Sequence, residues 1–127
     1  MKIRYLFILL LAICTLGFCS ACSDAAAEAP SIVVERFAMA LVECDLEQAQ
    51  KDSYGTLNNT LMDGVKKFDT PEKKEEWKKN FLRLKDIKIN SENIDGDSAV
   101  VVVTNGSTQT EFFLVKVNGE WKVTGIR

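Results

Sequence analysis

Three dipeptides that favour tight turns divide the last third of this chain into four apolar segments. They are Asp95-Gly96, Asn105-Gly106 and Asn118-Gly119. Asp or Asn followed by Gly suits the type I′ hairpin turn, because that turn needs a positive φ at both central positions. The apolar runs between the turns have the length and composition of strands. The sequence from about Lys85 onward is therefore predicted to form an antiparallel meander of four strands.

The lengths of these turns predict which residues lie opposite each other. If the first and third turns each hold two residues, the opposed pairs are Ile89 with Val102 and Leu114 with Val123. A three-residue loop from Asn105 to Ser107 sets Val100 opposite Phe112, whereas a two-residue turn there sets Val100 opposite Glu111. A slip of one residue exchanges the two faces of a strand, so burial of the apolar set favours the three-residue loop.

Both faces of the predicted sheet carry apolar side chains. The predicted inner face consists of Ile87, Ile89, Val100, Val102, Phe112, Leu114, Trp121 and Val123. The other face carries Val101, Val103, Phe113, Val115 and Val117 between polar residues. A sheet that is apolar on both faces usually has both of them covered. Helices can cover the first face, and a second subunit on the other face would make a homodimer.

Helical periodicity precedes the strands. Val33, Phe37 and Leu41 recur at four-residue spacing, which predicts a helix from Ser31 to about Glu43. Asp45 is placed to cap a short second helix through its carboxylate.

A further helix is predicted later in the chain. Thr70-Pro71-Glu72 combines a cap, a first-turn proline and an acid, and the helix runs to about Phe81. The segment from Thr56 to Phe68 is ambiguous, because Gly64 weakens an otherwise helical pattern. Helices first and strands last predict an α+β fold, with N-terminal helices packed on a curved antiparallel sheet of about four strands.

The N-terminus has the order of a bacterial secretory signal that ends in a lipoprotein cleavage site. Lys2 and Arg4 precede an uncharged apolar run from Tyr5 to Phe18, and Ser20-Ala21-Cys22 places two small residues before a cysteine. We therefore expect residues 1–21 to be a signal peptide and Cys22 to carry lipid. Residues 22–30 would form a tether and residues 31–127 a single domain.

Two other processing outcomes compete with lipidation. Ordinary secretion could cut within Ala25-Ala26-Ala27, or the run from Tyr5 to Ser23 could remain as a membrane anchor. We favour lipidation over these two alternatives. It places the protein in the cell envelope, attached through Cys22 to the extracytoplasmic side of a bacterial membrane.

Composition excludes several classes of function. Removal of the signal takes Lys2 and Arg4 from the 16 basic residues and none of the 18 acidic ones, which leaves a net charge of −4. An acidic chain without a basic stripe is a poor nucleic-acid binder. The chain has no histidine, and a lipidated form keeps Cys44 as its one thiol. We expect no disulfide, no metal site, no cofactor and no histidine-dependent catalytic triad.

Four segments carry a resemblance to a known family. They are Pro30–Phe37, Cys44–Ala49, Asp95–Val101 and Asn118–Val123. Together they resemble small bacterial lipoproteins of a domain-of-unknown-function family in the nuclear transport factor two-like superfamily. That resemblance implies a helix-backed cone with a pocket at its open end. The superfamily includes isomerases, dehydratases and polyketide cyclases as well as many domains without catalysis, so the fold does not define the function.

Three aromatic residues are the candidates for ligand contact. Tyr54, Trp77 and Trp121 could line the pocket of the cone. No residue is assigned a catalytic role, and we expect a non-catalytic module that binds a small apolar ligand or a protein partner. One alternative is an accessory subunit that uses an exposed sheet face. Another is a small isomerase- or cyclase-like enzyme, which Asp45 or Glu43 pointing into a cavity would indicate.

Overall fold

The computed structural model describes residues 28–127. The predicted signal and the predicted lipid-bearing Cys22 lie outside the described residues. The helices are α1 (Pro30–Glu43), α2 (Leu46–Lys51), α3 (Thr56–Lys67) and α4 (Pro71–Asn80), followed by a 3₁₀ turn at Leu82–Leu84. The strands are β1 (Lys88–Asp95), β2 (Ser98–Asn105), β3 (Thr108–Val117) and β4 (Glu120–Ile126).

Local side chains set the helix ends where the sequence predicts them. Pro30 begins α1, and an Asp45 carboxylate oxygen accepts a hydrogen bond from the Gln48 amide at 3.2 Å to cap α2. The Thr70 hydroxyl accepts one from the Lys73 amide at 3.3 Å at the start of α4. These predicted helix starts are confirmed.

The ambiguous segment is a helix, and Gly64 explains how it packs. A Cβ atom at Gly64 would lie 3.2 Å from Leu46 Cδ1, closer than side chains usually approach. The missing side chain lets α3 lie tightly against α2, with Leu61 buried beside this contact. The glycine therefore serves close helix packing rather than a break in the helix.

The four strands form one antiparallel sheet in the order β1-β2-β3-β4, as the meander prediction requires. The third hairpin has the predicted register, with Leu114 opposite Val123. The predicted registers of the first two hairpins are wrong. Ile89 lies opposite Val103, and Val100 lies opposite Phe113.

Both wrong registers begin with the place of glycine in the turn, and in the first hairpin a β-bulge between Ile89 and Ser91 also shifts the pairing. Asp95 and Asn105 are the last paired residues of their strands, so the loops are Gly96-Asp97 and Gly106-Ser107. Within these two loops only Gly96 and Gly106 have a positive φ, 59° and 60°. This is the pattern of hairpin turns that require glycine at the first loop position. In the third hairpin, by contrast, Asn118 and Gly119 both have a positive φ, 51° and 80°, as in type I′.

The shifted register exchanges the faces of β2. Val101 and Val103 are buried against the helices, whereas Val100 and Val102 lie half-buried on the outer face. The inner-face predictions for Val100 and Val102 are therefore wrong, as are the outer-face predictions for Val101 and Val103. The predicted inner positions on β3 and β4 are confirmed, since Phe112, Leu114, Trp121 and Val123 are all buried.

Helix α1 supplies the layer that packs on the inner face. The rings of Phe37 and Phe112 meet edge to face, with their centroids 6.2 Å apart. Val34, Leu41 and Leu114 join this core and are 2% exposed or less. Helices packed on one side of a curved antiparallel sheet form the α+β cone predicted from the sequence, so the fold class is confirmed.

The free edge of β4 is covered by the segment that joins α2 to α3. Ser53 pairs with Val123 as a parallel bridge. The Tyr54 amide donates to the Val123 carbonyl at 2.9 Å, and the Val123 amide donates to the Asp52 carbonyl at 2.7 Å. These bonds fix Asp52 beside the sheet edge and build one wall of a cleft.

Candidate functional site

The interior of the cone is filled by side chains. Phe37 and Phe112 are 0% exposed and Leu41 is 2% exposed, so the middle of the molecule is packed core. The two acids whose burial would have indicated an enzyme are at the surface. Asp45 and Glu43 are both exposed, and Asp45 caps α2.

A cleft of about 360 Å³ opens at the β4 edge, outside this core. It lies between the start of α1, the end of α2 and the beginning of β4. Its lining consists of Glu28, Val33, Arg36, Lys51, Asp52, Gly119, Glu120, Trp121 and Lys122. Six of these residues are charged, which distinguishes the cleft from an apolar ligand pocket.

An ion pair forms the centre of this cleft. Arg36 Nε donates to Asp52 Oδ2 at 2.8 Å, and Arg36 Nη2 donates to Asp52 Oδ1 at 2.6 Å. The Asp52 side chain is only 5% exposed, whereas that of Arg36 is 39% exposed. The hydrogen bonds to Asp52 raise the pKa of the Arg36 guanidinium, burial opposes that rise, and Glu28 adds to it. The pair is therefore a bidentate, partly buried ion pair.

Sequence reasoning missed Arg36 and Asp52. Arg36 lies on the side of α1 that the periodicity assigns to solvent, and Asp52 has no motif around it. The two residues are 16 positions apart, so the spacing along the chain gives no sign that they meet. Their contact depends on how the end of α2 packs beside β4.

The structure does not bring the three predicted aromatic residues together. Trp121 lines the cleft and is 7% exposed, with Lys116 Nζ 5.5 Å from the centroid of its ring. Tyr54 is 52% exposed and is not part of the cleft lining. Its backbone, rather than its hydroxyl, is what contacts β4.

Trp77 holds α4 against α1, away from the cleft. Its Nε1 donates to the Leu41 carbonyl at 2.8 Å. Its ring stacks on Phe81 at 4.5 Å between centroids and meets the Phe68 ring edge-on at 5.0 Å. The geometry of Trp77 is that of a packing residue with a satisfied indole N–H.

The outer face of the sheet carries a second feature, an apolar patch on β2 and β3. We call the half-buried side chains of Val100, Val102, Phe113, Val115 and Val117 the outer patch. The Arg127 guanidinium lies 5.4 Å from the centroid of the Phe113 ring, and Phe113 pairs with Gly125 on β4. Within residues 28–127, the helices pack on the opposite face of the sheet.

Cys44 lies buried at the end of α1. Burial raises the pKa of its thiol above the ordinary value, and the Lys74 and Lys78 charges only partly oppose that rise. A thiol that acts as a nucleophile needs the opposite shift. Among the described residues, no three side chains of the metal-binding types lie close enough to hold an ion. Across residues 28–127, no helix is long and apolar enough to span a bilayer.

The chain folds as a cone of helices packed on an antiparallel sheet, and comparison with known proteins assigns it to a family. Residues 20–124 match the family described as Domain of unknown function (DUF4878), so the chain belongs to that family. No curated protein matches the chain.

A solved structure also resembles this one. It is the crystal structure of a protein described as "Putative NTF2-like transpeptidase" from Campylobacter jejuni, with 20% sequence identity and a TM-score of 0.52. The similarity covers 77% of this chain and 99% of that chain. At this identity the likeness shows the fold alone, which is the nuclear transport factor two-like cone expected from the sequence.

Proposed function

We propose that the protein is a non-catalytic interaction domain, held on the extracytoplasmic side of a bacterial membrane by lipid on Cys22, that pairs with a second copy through the outer patch. The observation that carries this proposal is the patch itself. Its five apolar side chains share a sheet face that no helix of residues 28–127 covers. Contiguous apolar surface of this kind is typical of interaction sites.

The filled cone supports a surface function over an internal one. A carrier of a small apolar ligand needs an empty apolar cavity. Phe37, Phe112 and Leu41 occupy the space that such a ligand would take. The cleft at the β4 edge is mostly charged, so it does not suit an apolar ligand.

The charges around the outer patch favour a second copy as the occupant. Glu111 and Arg127 pair at one end of the patch, and Glu120 and Lys122 pair at the other. Each end therefore offers both an acid and a base. In a two-fold symmetric pair, opposite charges can meet whichever ends are placed together.

The transpeptidase name of the structural neighbour does not supply a better proposal. A likeness of 20% identity carries no activity with it. Among residues 28–127, Cys44 is the one cysteine, and burial raises the pKa of its thiol. That environment disfavours the thiolate that a nucleophilic mechanism requires.

Molar mass in solution tests the pairing. A chain from Ser23 to Arg127 keeps the whole core, since the buried residues lie between Pro30 and Val123. We expect light scattering after size exclusion to give a dimer, and Val115→Lys to give a monomer with unchanged circular dichroism. Met62→Lys is the matched control, because Met62 is an exposed apolar residue on α3, away from the sheet.

A monomeric unmodified chain at about 100 μM, well above the dissociation constants of stable dimers, contradicts pairing with a second copy. A dimer that Met62→Lys breaks and Val115→Lys preserves would instead place the interface on the helices.

A further inference from the structure

The cleft beside β4 holds the Arg36 guanidinium, and the buried Asp52 carboxylate fixes its orientation. Asp52 is 4% exposed, and it engages Arg36 through both Nε and Nη2. Gln48 Nε2 also donates to the Asp52 carboxylate, at 3.1 Å. Two of the three guanidinium nitrogens are thus committed to Asp52, and Nη1 is left for a different partner.

That partner in the structure is a carboxylate from the segment just before α1. Arg36 Nη1 donates to Glu28 Oε2. The Glu28 side chain is 50% exposed and that of Arg36 is 39% exposed, so water reaches both members of this pair. Exposed ion pairs contribute little to stability. The Glu28 carboxylate can therefore be exchanged for another carboxylate at small cost.

We propose that this cleft binds a small organic acid through its carboxylate, and that Glu28 occupies the same position in the absence of ligand. A bidentate brace on one side of the guanidinium preorganises it to receive a carboxylate on the other. The volume of about 360 Å³ lies at the small end of the range for ligand pockets. It suits an acid with a short aliphatic or single aromatic body.

The rest of the lining supports this class of ligand. Trp121 and Val33 provide an apolar wall for the body of the acid. When Glu28 turns away, the lining keeps three basic side chains, Arg36, Lys51 and Lys122, against two acidic ones, Asp52 and Glu120. The vacated cleft is therefore net positive, which favours an anion.

The test is a titration followed by ¹H–¹⁵N NMR, on the full chain in detergent micelles. Sodium acetate and sodium benzoate are the carboxylate probes, and inorganic phosphate is the probe for a general anion site. We expect saturable shifts of the Arg36 Nε–H and Trp121 Nε1–H signals with both carboxylates. Benzoate should bind more tightly than acetate because its ring contacts the apolar wall. A guanidinium also binds phosphate, but phosphate has no apolar body and should therefore bind more weakly than benzoate.

Matched glutamate variants test the role of Glu28. Glu28→Gln should lower the dissociation constant of benzoate by about two- to fivefold, because it removes an exposed competing charge. Glu47→Gln should leave it unchanged, since Glu47 is exposed on α2 and is not part of the cleft lining. Arg36→Lys should abolish saturable binding.

Three results would overturn the inference. Equal benzoate affinity in the unmodified chain and in Glu28→Gln would show that Glu28 does not occupy the carboxylate position. Phosphate binding as tight as benzoate binding would show a general anion site, and shifts that spare Arg36 would place binding elsewhere. If Arg36→Lys does not fold, the two glutamate variants still decide the matter, because both substitutions are at exposed positions.

Discussion

At Cys44 the backbone and the side chain have opposite requirements. The residue ends α1 in the left-handed region, with φ at 57°, a conformation that favours glycine. Its amide bonds to the Ala40 and Leu41 carbonyls, which closes the helix end. The thiol is nevertheless part of the core at 8% exposure. A glycine would relieve the backbone but leave that part of the core unfilled.

Burial of Cys44 predicts how stability depends on pH. The folded pKa of the thiol is raised above its ordinary value of 9.0, so the unfolded chain loses this proton first as the pH rises. The neutral thiol therefore contributes its full stability below pH 9.0, and that contribution is lost as the pH rises towards the folded pKa.

Urea unfolding of the Ser23–Arg127 chain, under reducing conditions between pH 7 and 10, measures this dependence. We expect the free energy of unfolding to fall more steeply above pH 9 in the unmodified chain than in Cys44→Ala, because only the former carries the titrating thiol. Parallel curves for the two proteins would show that Cys44 ionises equally in the folded and unfolded states.

At the scale of elements, α4 is the helix least embedded in the molecule. None of its residues is fully buried. Its attachment depends on Trp77, which stacks on Phe81 and donates its indole N–H to the Leu41 carbonyl. The sequence suggested Trp77 as a ligand contact, whereas in the structure its indole packs α4 against α1.

Trp77→Phe should loosen this helix more than the rest of the fold. An aromatic ring is kept, but the hydrogen bond to Leu41 and part of the indole packing are lost, so we expect a loss of at least about 1 kcal/mol in the free energy of unfolding. Amide hydrogen exchange should accelerate in α4 and stay slow in β2 and β3. Lys79→Ala, at an exposed position of the same helix, should change both readouts little. Equal exchange rates in the two variants would refute the attachment by Trp77.

The hairpins show what sequence patterns predict at this scale and what they miss. The turn dipeptides predicted all three hairpins, because glycine is needed in each loop. They did not distinguish a turn in which Asn118 and Gly119 both have a positive φ from one in which Gly96 stands first and Asp95 remains in the strand. The same dipeptide pattern fits both geometries, so the register, and with it the face of Val101, depended on packing that the pattern does not encode.

At the scale of the whole molecule, the fold could be predicted and the cleft could not. Periodicity and caps are local, so they predicted three of the four helices and left only α3 open. The ion pair of Arg36 and Asp52 joins two helical segments to a sheet edge, and no local pattern encodes that meeting. Trp121 was predicted as a ligand contact and lines the cleft, but the charged residues around it were found only in three dimensions.

The proposed membrane attachment would bring the cleft close to the lipid. Glu28 is six positions after Cys22. A chain of that length spans at most about 20 Å when fully extended. The cleft that contains Glu28 would therefore lie within about 20 Å of a lipid-bearing Cys22, in reach of molecules at the membrane surface.

Fractionation of cells that express the full chain tests this attachment. We expect the unmodified chain to sediment with membranes and to incorporate a labelled fatty acid, because a diacylated cysteine anchors stably. Cys22→Ala should lose the label, because position 22 then has no thiol to accept the lipid. Cys19→Ala is the matched control and should keep both properties, since bulky Phe18 precedes Cys19 and disfavours cleavage there. An unmodified chain that sediments with membranes without label, at the mass of the full 127 residues, would indicate that the run from Tyr5 to Ser23 remains as an uncut anchor.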